Sequence, residues 1–252
     1  MTILETKGLT KQFGQLVAVD RMDFAVEREA ISAVIGPNGA GKSTLFNLIS
    51  GLLPPTSGTV EFQGEDITGL SPHEITRMGV GRSFQIVDIF EGLTVRENVR
   101  LAAQALDDDR GAVWRRAESL AAPRDAADSI LAEVGLSEYA TARADALSHG
   151  DRRKLDIALT IAGDPALVLL DEPTAGMGKE ESIETIRMIR RLAEDRDITL
   201  VLIEHDLEIV LGISDVVTVM HEGAKLARGT PAEIQENEAV QQAYLGTRGE
   251  DA

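Results

Sequence analysis

Nine consecutive residues, Gly36-Pro37-Asn38-Gly39-Ala40-Gly41-Lys42-Ser43-Thr44, follow a G-x-x-x-x-G-K-[ST] pattern. Residues of these types at this spacing recognise a nucleoside triphosphate. The glycines let the backbone fold around phosphate oxygens, and the N–H groups of Gly39 to Thr44 point inward at the positive end of a helix dipole. In such a loop Lys42 reaches the β- and γ-phosphates and Ser43 sets its hydroxyl on Mg²⁺. A second constellation lies further on, where the apolar run Leu167-Val168-Leu169-Leu170 ends in Asp171-Glu172. Asp171 can hold Mg²⁺ through Ser43 or through water, and Glu172, one residue on, can face the γ-phosphate and polarise an attacking water. Alone, an acidic pair after a strand is a common solvated feature. Combined with the phosphate loop it points to hydrolysis.

These groups need a rigid frame. Ala30-Ile31-Ser32-Ala33-Val34-Ile35 reads as a buried strand before the loop, and Leu45, Leu48 and Ile49 recur at helical spacing after it. Residues 4–26 alternate apolar and polar around Gly8 and Gly14, which suggests antiparallel strands, and Thr59-Val60-Glu61-Phe62 reads as another strand. Ser71-Pro72-His73-Glu74 and Thr94-Val95-Arg96-Glu97 are capping-box helix starts. From there to about residue 144 the chain is alanine-rich and helical, with expected breaks near 107–111 and at Pro123. The later segments alternate: a helix near 152–162, strands at 166–170 and 198–203, a helix marked by Ile183, Ile186, Ile189 and Leu192, and a last apolar strand at 216–220. This alternation implies a mainly parallel sheet in an α/β fold. We expect a single nucleotide-binding domain over 1–246, with a core of about 1–90 and 155–228 and an inserted helical lobe of about 91–154. Terminal helices capped by Thr230-Pro231-Ala232-Glu233 fill 231–246, and 247–252 is expected to be a mobile tail.

Composition narrows the setting. A net charge of −17 argues against nucleic acid as a partner, because binding to a phosphate backbone needs a basic surface. The apolar runs are too short to cross a bilayer, and the opening residues lack a signal-peptide pattern, so a cytoplasmic protein is expected. The absence of cysteine excludes disulfides, thiol catalysis and zinc–thiolate sites. Lysine occurs only at Lys7, Lys11, Lys42, Lys154, Lys179 and Lys225. Such acidic, lysine-poor chains resemble proteins of salt-loving organisms, and ordinary acidic soluble proteins share the same composition.

One more segment completes a pattern. Leu147-Ser148-His149-Gly150-Asp151 stands just ahead of a helix and some twenty residues before Asp171. Read alone it is an N-capped helix. In order with the phosphate loop and the Asp171-Glu172 strand it resembles the signature segment of ATP-binding-cassette (ABC) ATPases. The resemblance runs from Phe13 to Gly246 and implies a P-loop cassette with a RecA-like core, an antiparallel β subdomain and an inserted α-helical subdomain. It also implies that Ser148 and Gly150 grip the γ-phosphate of ATP bound to a second subunit. His149 and Asp151 depart from the family's glycine and glutamine, and Asp151 sets a negative charge close to where phosphate would lie. By the same resemblance Gln85 reaches Mg²⁺ and links core to helical lobe. His205 contacts the γ-phosphate and aligns Glu172 with its water, and Phe13 stacks on adenine where the family more often has tyrosine. Thr174-Ala175-Gly176-Met177-Gly178 matches the segment that crosses the dimer interface, with Gly178 in place of the usual Asp or Asn.

Three stretches look most like the ATPase subunits of importers for branched-chain and other hydrophobic amino acids, with urea and short-amide importers as relations: Arg82-Ser83-Phe84-Gln85, the Ser148 segment, and the ending from Gly229-Thr230-Pro231 to Ala243-Tyr244-Leu245-Gly246. The resemblance thus implies a cytoplasmic ATPase lying on the inner face of the plasma membrane. It pairs with a like subunit as a homo- or heterodimer, receives a short permease helix near 85–99 and does not touch solute. A soluble non-transport ABC ATPase and a catalytically weak regulatory cassette, the latter suggested by Asp151 and Gly178, are the alternative readings.

Overall fold

The computed structural model describes residues 1–83, 89–105 and 121–246. Gln85 and the 247–252 tail lie outside the described residues. The chain opens with β1 (Thr2–Phe13) and β2 (Leu16–Glu27), which pair antiparallel through a turn at Gly14, where φ is +59°. With β4 (Ser57–Phe62) and β5 (Glu65–Asp66) they form a four-stranded sheet in the order β2-β1-β4-β5.

A second sheet carries the chemistry. Its strands are β3 (Ile31–Ile35), β6 (Val80–Arg82), β7 (Leu167–Asp171), β8 (Thr199–Ile203), β9 (Val216–His221) and β10 (Ala224–Gly229), in the order β10-β9-β3-β8-β7-β6. All neighbours run parallel except the β9–β10 hairpin. Its inner strands are buried on both faces, which is why they read as continuous apolar runs. Leu167 and Leu169 pack toward β1, β2 and α1 (Lys42–Ile49), whereas Val168 and Leu170 pack toward the helices on the opposite side.

Those helices include α5 (His149–Ile161), α6 (Lys179–Asp195) and α7 (Leu207–Ile213), together with α3 (Val95–Ala105) and α4 (Ala121–Glu133). Two terminal helices, α8 (Pro231–Glu236) and α9 (Glu238–Gly246), follow β10. Short α2 (Pro72–Arg77) begins at Ser71 with the reciprocal Ser71–Glu74 hydrogen bonds of a capping box, and Thr94–Glu97 and Thr230–Glu233 repeat the arrangement. The expected break at Pro123 is not found. Helix α4 is continuous through Pro123 as described, and the break expected near 107–111 lies outside the described residues. No helix among the described residues is long and apolar enough to cross a membrane.

Candidate active site at the strand ends

Three neighbouring strands end side by side. Val34 of β3 is level with Ile203 of β8, and Ile203 is level with Asp171 of β7. Their C-terminal ends therefore bring Gly36, Asp171-Glu172 and His205 to one edge, where open parallel sheets bind ligands.

The loop after β3 requires glycine at two points. Gly36 has φ +152° and a side chain there would strike the carbonyl of Met220; Gly41 has φ +97° and would strike that of Ala18. Lys42, buried although charged, donates to the Gly36 and Pro37 carbonyls at 2.7 and 3.0 Å. Burial pushes its ammonium below the ordinary pKa, and Glu172 and Asp171 pull it back up. A cleft of about 580 Å³ opens over the loop. Of the residues named from the sequence, Phe13, Asn38, Gly39, Ala40, Gly41, Lys42, Ser43, Thr44, Glu172 and His205 line it, while Ser148 and Gly150 do not. Phe13, 46% exposed at the end of β1, lines the cleft, and the Lys11 ammonium lies over its ring, 5.1 Å from the centroid.

The two carboxylates differ in setting. Asp171 is buried, and desolvation pushes its carboxyl above the usual range; the Arg82 guanidinium, 3.9 Å away, is the strongest opposing influence. Glu172 adopts φ +50°, rare for a residue with a side chain. Its N–H donates to the Ile203 carbonyl at 3.0 Å, and its carboxylate lies 2.7 Å from His205 Nε2. A carboxylate from one strand end thus meets an imidazole from the next.

Several residues that hold this arrangement carry no sequence signal of their own. Glu204, buried beside His205, accepts from the Thr174 hydroxyl at 2.7 Å and its N–H at 3.0 Å, and burial raises its carboxyl pKa. Arg153, on the helix that begins at Ser148, donates to the backbone carbonyls of Asp171 and Glu172. Ser83 accepts the Asp171 N–H at 3.3 Å. Gln85, two residues beyond Ser83, is outside the described residues, so its assignment remains the expectation drawn from the family.

Ser148 caps α5 by accepting the Asp151 N–H at 3.1 Å and donating its hydroxyl to the Asp151 carboxylate at 2.7 Å. Lys154 lies 3.7 Å from the same carboxylate. The unexpected Asp151 is thereby accounted for: it serves as the helix N3 acid, with its charge engaged by neighbours and by the dipole. Gly150 leaves room for Glu181, whose carboxylate would collide with any side chain there. Gly178 caps α6 without a side-chain bond, and Glu180 and Glu181 fill the first turn.

Comparison with known proteins agrees with this geometry. Residues 19–175 match the family model described as ABC transporter, and residues 224–250 match one described as branched-chain amino acid ATP-binding cassette transporter. The chain is 40% identical to the high-affinity branched-chain amino acid transport ATP-binding protein BraF of Pseudomonas aeruginosa, covering 97% of this chain and 98% of that protein. It is equally similar, with the same coverage, to the LivG protein of Escherichia coli, and 34% identical to a probable LivG of Archaeoglobus fulgidus over 98% and 97% of the two chains. A nucleotide-free ATP-binding cassette from an ABC transporter superposes with a TM-score of 0.84 at 30% identity over 97% of this chain and 99% of that one. A cassette in its ADP conformation gives 0.85 at 30% identity over 98% and 99%. The motifs, the strand-end cleft and these full-length matches lead to one conclusion: the chain belongs to the ATP-binding-cassette transporter family.

Proposed function

We propose that this chain is the ATP-hydrolysing subunit of a membrane importer whose solutes are branched-chain or other hydrophobic amino acids. The observation that carries the hydrolytic reading is the 2.7 Å contact of Glu172 with His205 at the cleft over the phosphate loop. The solute class rests on the names of the curated relatives and on the match of the C-terminal segment. Solute choice itself belongs to permease and binding-protein subunits.

In this reading Phe13 stacks on adenine, and the N–H groups of Gly39 to Thr44 with Lys42 hold the phosphates. The residues present fit a magnesium ion in their chemistry, because Ser43 offers a hydroxyl in the cleft and Asp171 a buried carboxylate at the same sheet edge, the oxygen donors that ion takes. Ser43 and Asp171 would hold it, joined by Gln85 on the family resemblance. Held there, magnesium would neutralise charge on the phosphate oxygens. Glu172 accepts the proton of the attacking water, and His205 keeps the Glu172 carboxylate in place.

Ser148 and Gly150 are absent from the cleft lining of their own chain, which supports their use on ATP held by a second subunit. The dimer sits on the cytoplasmic face of the membrane against the permease and closes and reopens with each ATP turnover.

The test is Glu172→Gln. ATP binding should stay within a few-fold of wild type while turnover falls by at least about a hundredfold, the scale of losing a general base. Size-exclusion chromatography with Mg-ATP should then show a stable dimer. Wild-type turnover in this variant would sink the assignment.

A further inference from the structure

Strands β7 and β8 end together, and the chain beyond them stays in contact. Asp171 is level with Ile203, and the Glu172 N–H still reaches the Ile203 carbonyl at 3.0 Å. There the backbone pairing stops. Glu172 turns into the left-handed region at φ +50°, and Pro173 has no N–H to give. The next donor along the chain is the N–H of Thr174, a buried residue, and it needs an acceptor. The buried Glu204 carboxylate supplies one: a single oxygen takes the Thr174 N–H at 3.0 Å and the Thr174 hydroxyl at 2.7 Å, and the other takes the His205 N–H at 3.3 Å.

Three donors converge on two oxygens, which suits a carboxylate. An amide at this position would accept through one atom only and would turn an NH2 toward the remaining donor. The same two segments meet again through their side chains, where His205 Nε2 lies 2.7 Å from the Glu172 carboxylate. The His205 side chain is 46% exposed, so packing alone holds it loosely and its aim depends on its backbone. Glu204 does not line the cleft. Any influence it has on chemistry there passes through His205 or through Thr174.

We infer that Glu204 is a positioning residue for hydrolysis. Its carboxylate fixes the backbone of His205, and through the imidazole the Glu172 carboxylate, by tying both to Thr174. In the ATPase reading on which this rests, Thr174 opens the segment that crosses the dimer interface, so the aim of His205 is set jointly with that segment.

Glu204→Gln keeps an acceptor for Thr174 and sets an amide NH2 against the His205 N–H. In the full chain, kcat per folded molecule should fall roughly ten- to a hundredfold, the scale of a displaced catalytic group, with KM for ATP and Kd for a fluorescent ATP analogue within about twofold of wild type. A merely structural role would move the melting temperature and leave kcat per folded molecule alone. Thr174→Val removes a donor from the other side of the same carboxylate and should lower kcat by about tenfold or less. The double variant should lose less than the product of the two single losses, because both act on one carboxylate. Wild-type kcat in folded Glu204→Gln overturns the inference, as do losses that multiply fully or that fall on KM alone. Should Glu204→Gln fail to fold, an unchanged kcat in Thr174→Val overturns it unaided. Wild-type chain without ATPase activity, or Glu172→Gln that turns over at the wild-type rate, would instead defeat the ATPase reading, and this inference with it.

Discussion

The phosphate-loop edge and the Ser148 segment are built in contrasting ways. At the first, the groups that could touch phosphate or water come from three strand ends, β3, β7 and β8, and Lys42, Glu172 and His205 already share one cleft. At the second, Ser148 and Asp151 satisfy each other within a single helical turn, and neither lines that cleft. The first region is a candidate active site assembled by tertiary structure. The second is a prefabricated helix N-terminus that needs no other part of its chain to be complete. A segment of that kind can be offered to another molecule at little cost in reorganisation, which is what a shared site requires.

The contrast can be broken most severely at Ser148. Ser148→Arg should abolish hydrolysis in the homodimer, a loss of a hundredfold or more, while ATP binding by the monomer survives. Lys42→Ala should fail for the opposite reason, by losing the nucleotide. Mixing the two variants should restore activity up to one productive site per mixed dimer. Full activity in isolated Ser148→Arg monomers would erase the distinction between the regions.

A smaller effect concerns bringing the two regions together. Each subunit carries −17, so closing a dimer of like chains works against repulsion. The Debye length falls from about 10 Å at 0.1 M salt to about 3 Å at 1 M. ATPase activity and ATP-dependent dimerisation should therefore rise several-fold as KCl goes from tenths of molar to molar. A steady decline over that range would reject the salt-adapted reading and leave the family assignment intact.

The smallest effect sharpens the tertiary side of the contrast. Glu204 is a buried carboxyl whose folded pKa lies above its ordinary 4.5, so the folded chain binds its proton more tightly than the unfolded chain does. Stability from this group is present below about pH 4.5 and is lost as pH rises through the higher folded value. Glu204→Gln, which keeps an acceptor for Thr174, should gain on wild type as pH climbs from 5 to 8 in denaturant melts. A difference that is flat with pH, or that runs the other way, would show that Glu204 carries no such penalty.

How much could be read from the sequence follows the same division. The phosphate loop, the Asp171-Glu172 strand end and the capping boxes are local patterns, and each lies where its spacing indicates. Strand β10 has no such pattern: it is a half-exposed edge strand of mixed residues that exists because β9 pairs with it. Helix α7 is one short, half-exposed segment capped by Asp206, too brief for periodicity to mark. Glu204 with Thr174, and Arg153 with the carbonyls of Asp171 and Glu172, join residues 18 to 30 positions apart. Nothing in a linear pattern announces them, because the partner of a buried polar group is chosen by the fold.

Arg153 gives the contrast a mechanical side. It lies on α5, five residues beyond the Ser148 cap, and its guanidinium holds the two carbonyls from which the Asp171 and Glu172 side chains branch. Any force that tilts or slides α5 strains those two hydrogen bonds first. Under the proposed function, a partner subunit that gripped Ser148 would pull, through one buried side chain, on the peptide units of Asp171 and Glu172. The turn proposed to serve another subunit is thereby tethered to the strand end of its own chain, by a rigid helix and a forked cation.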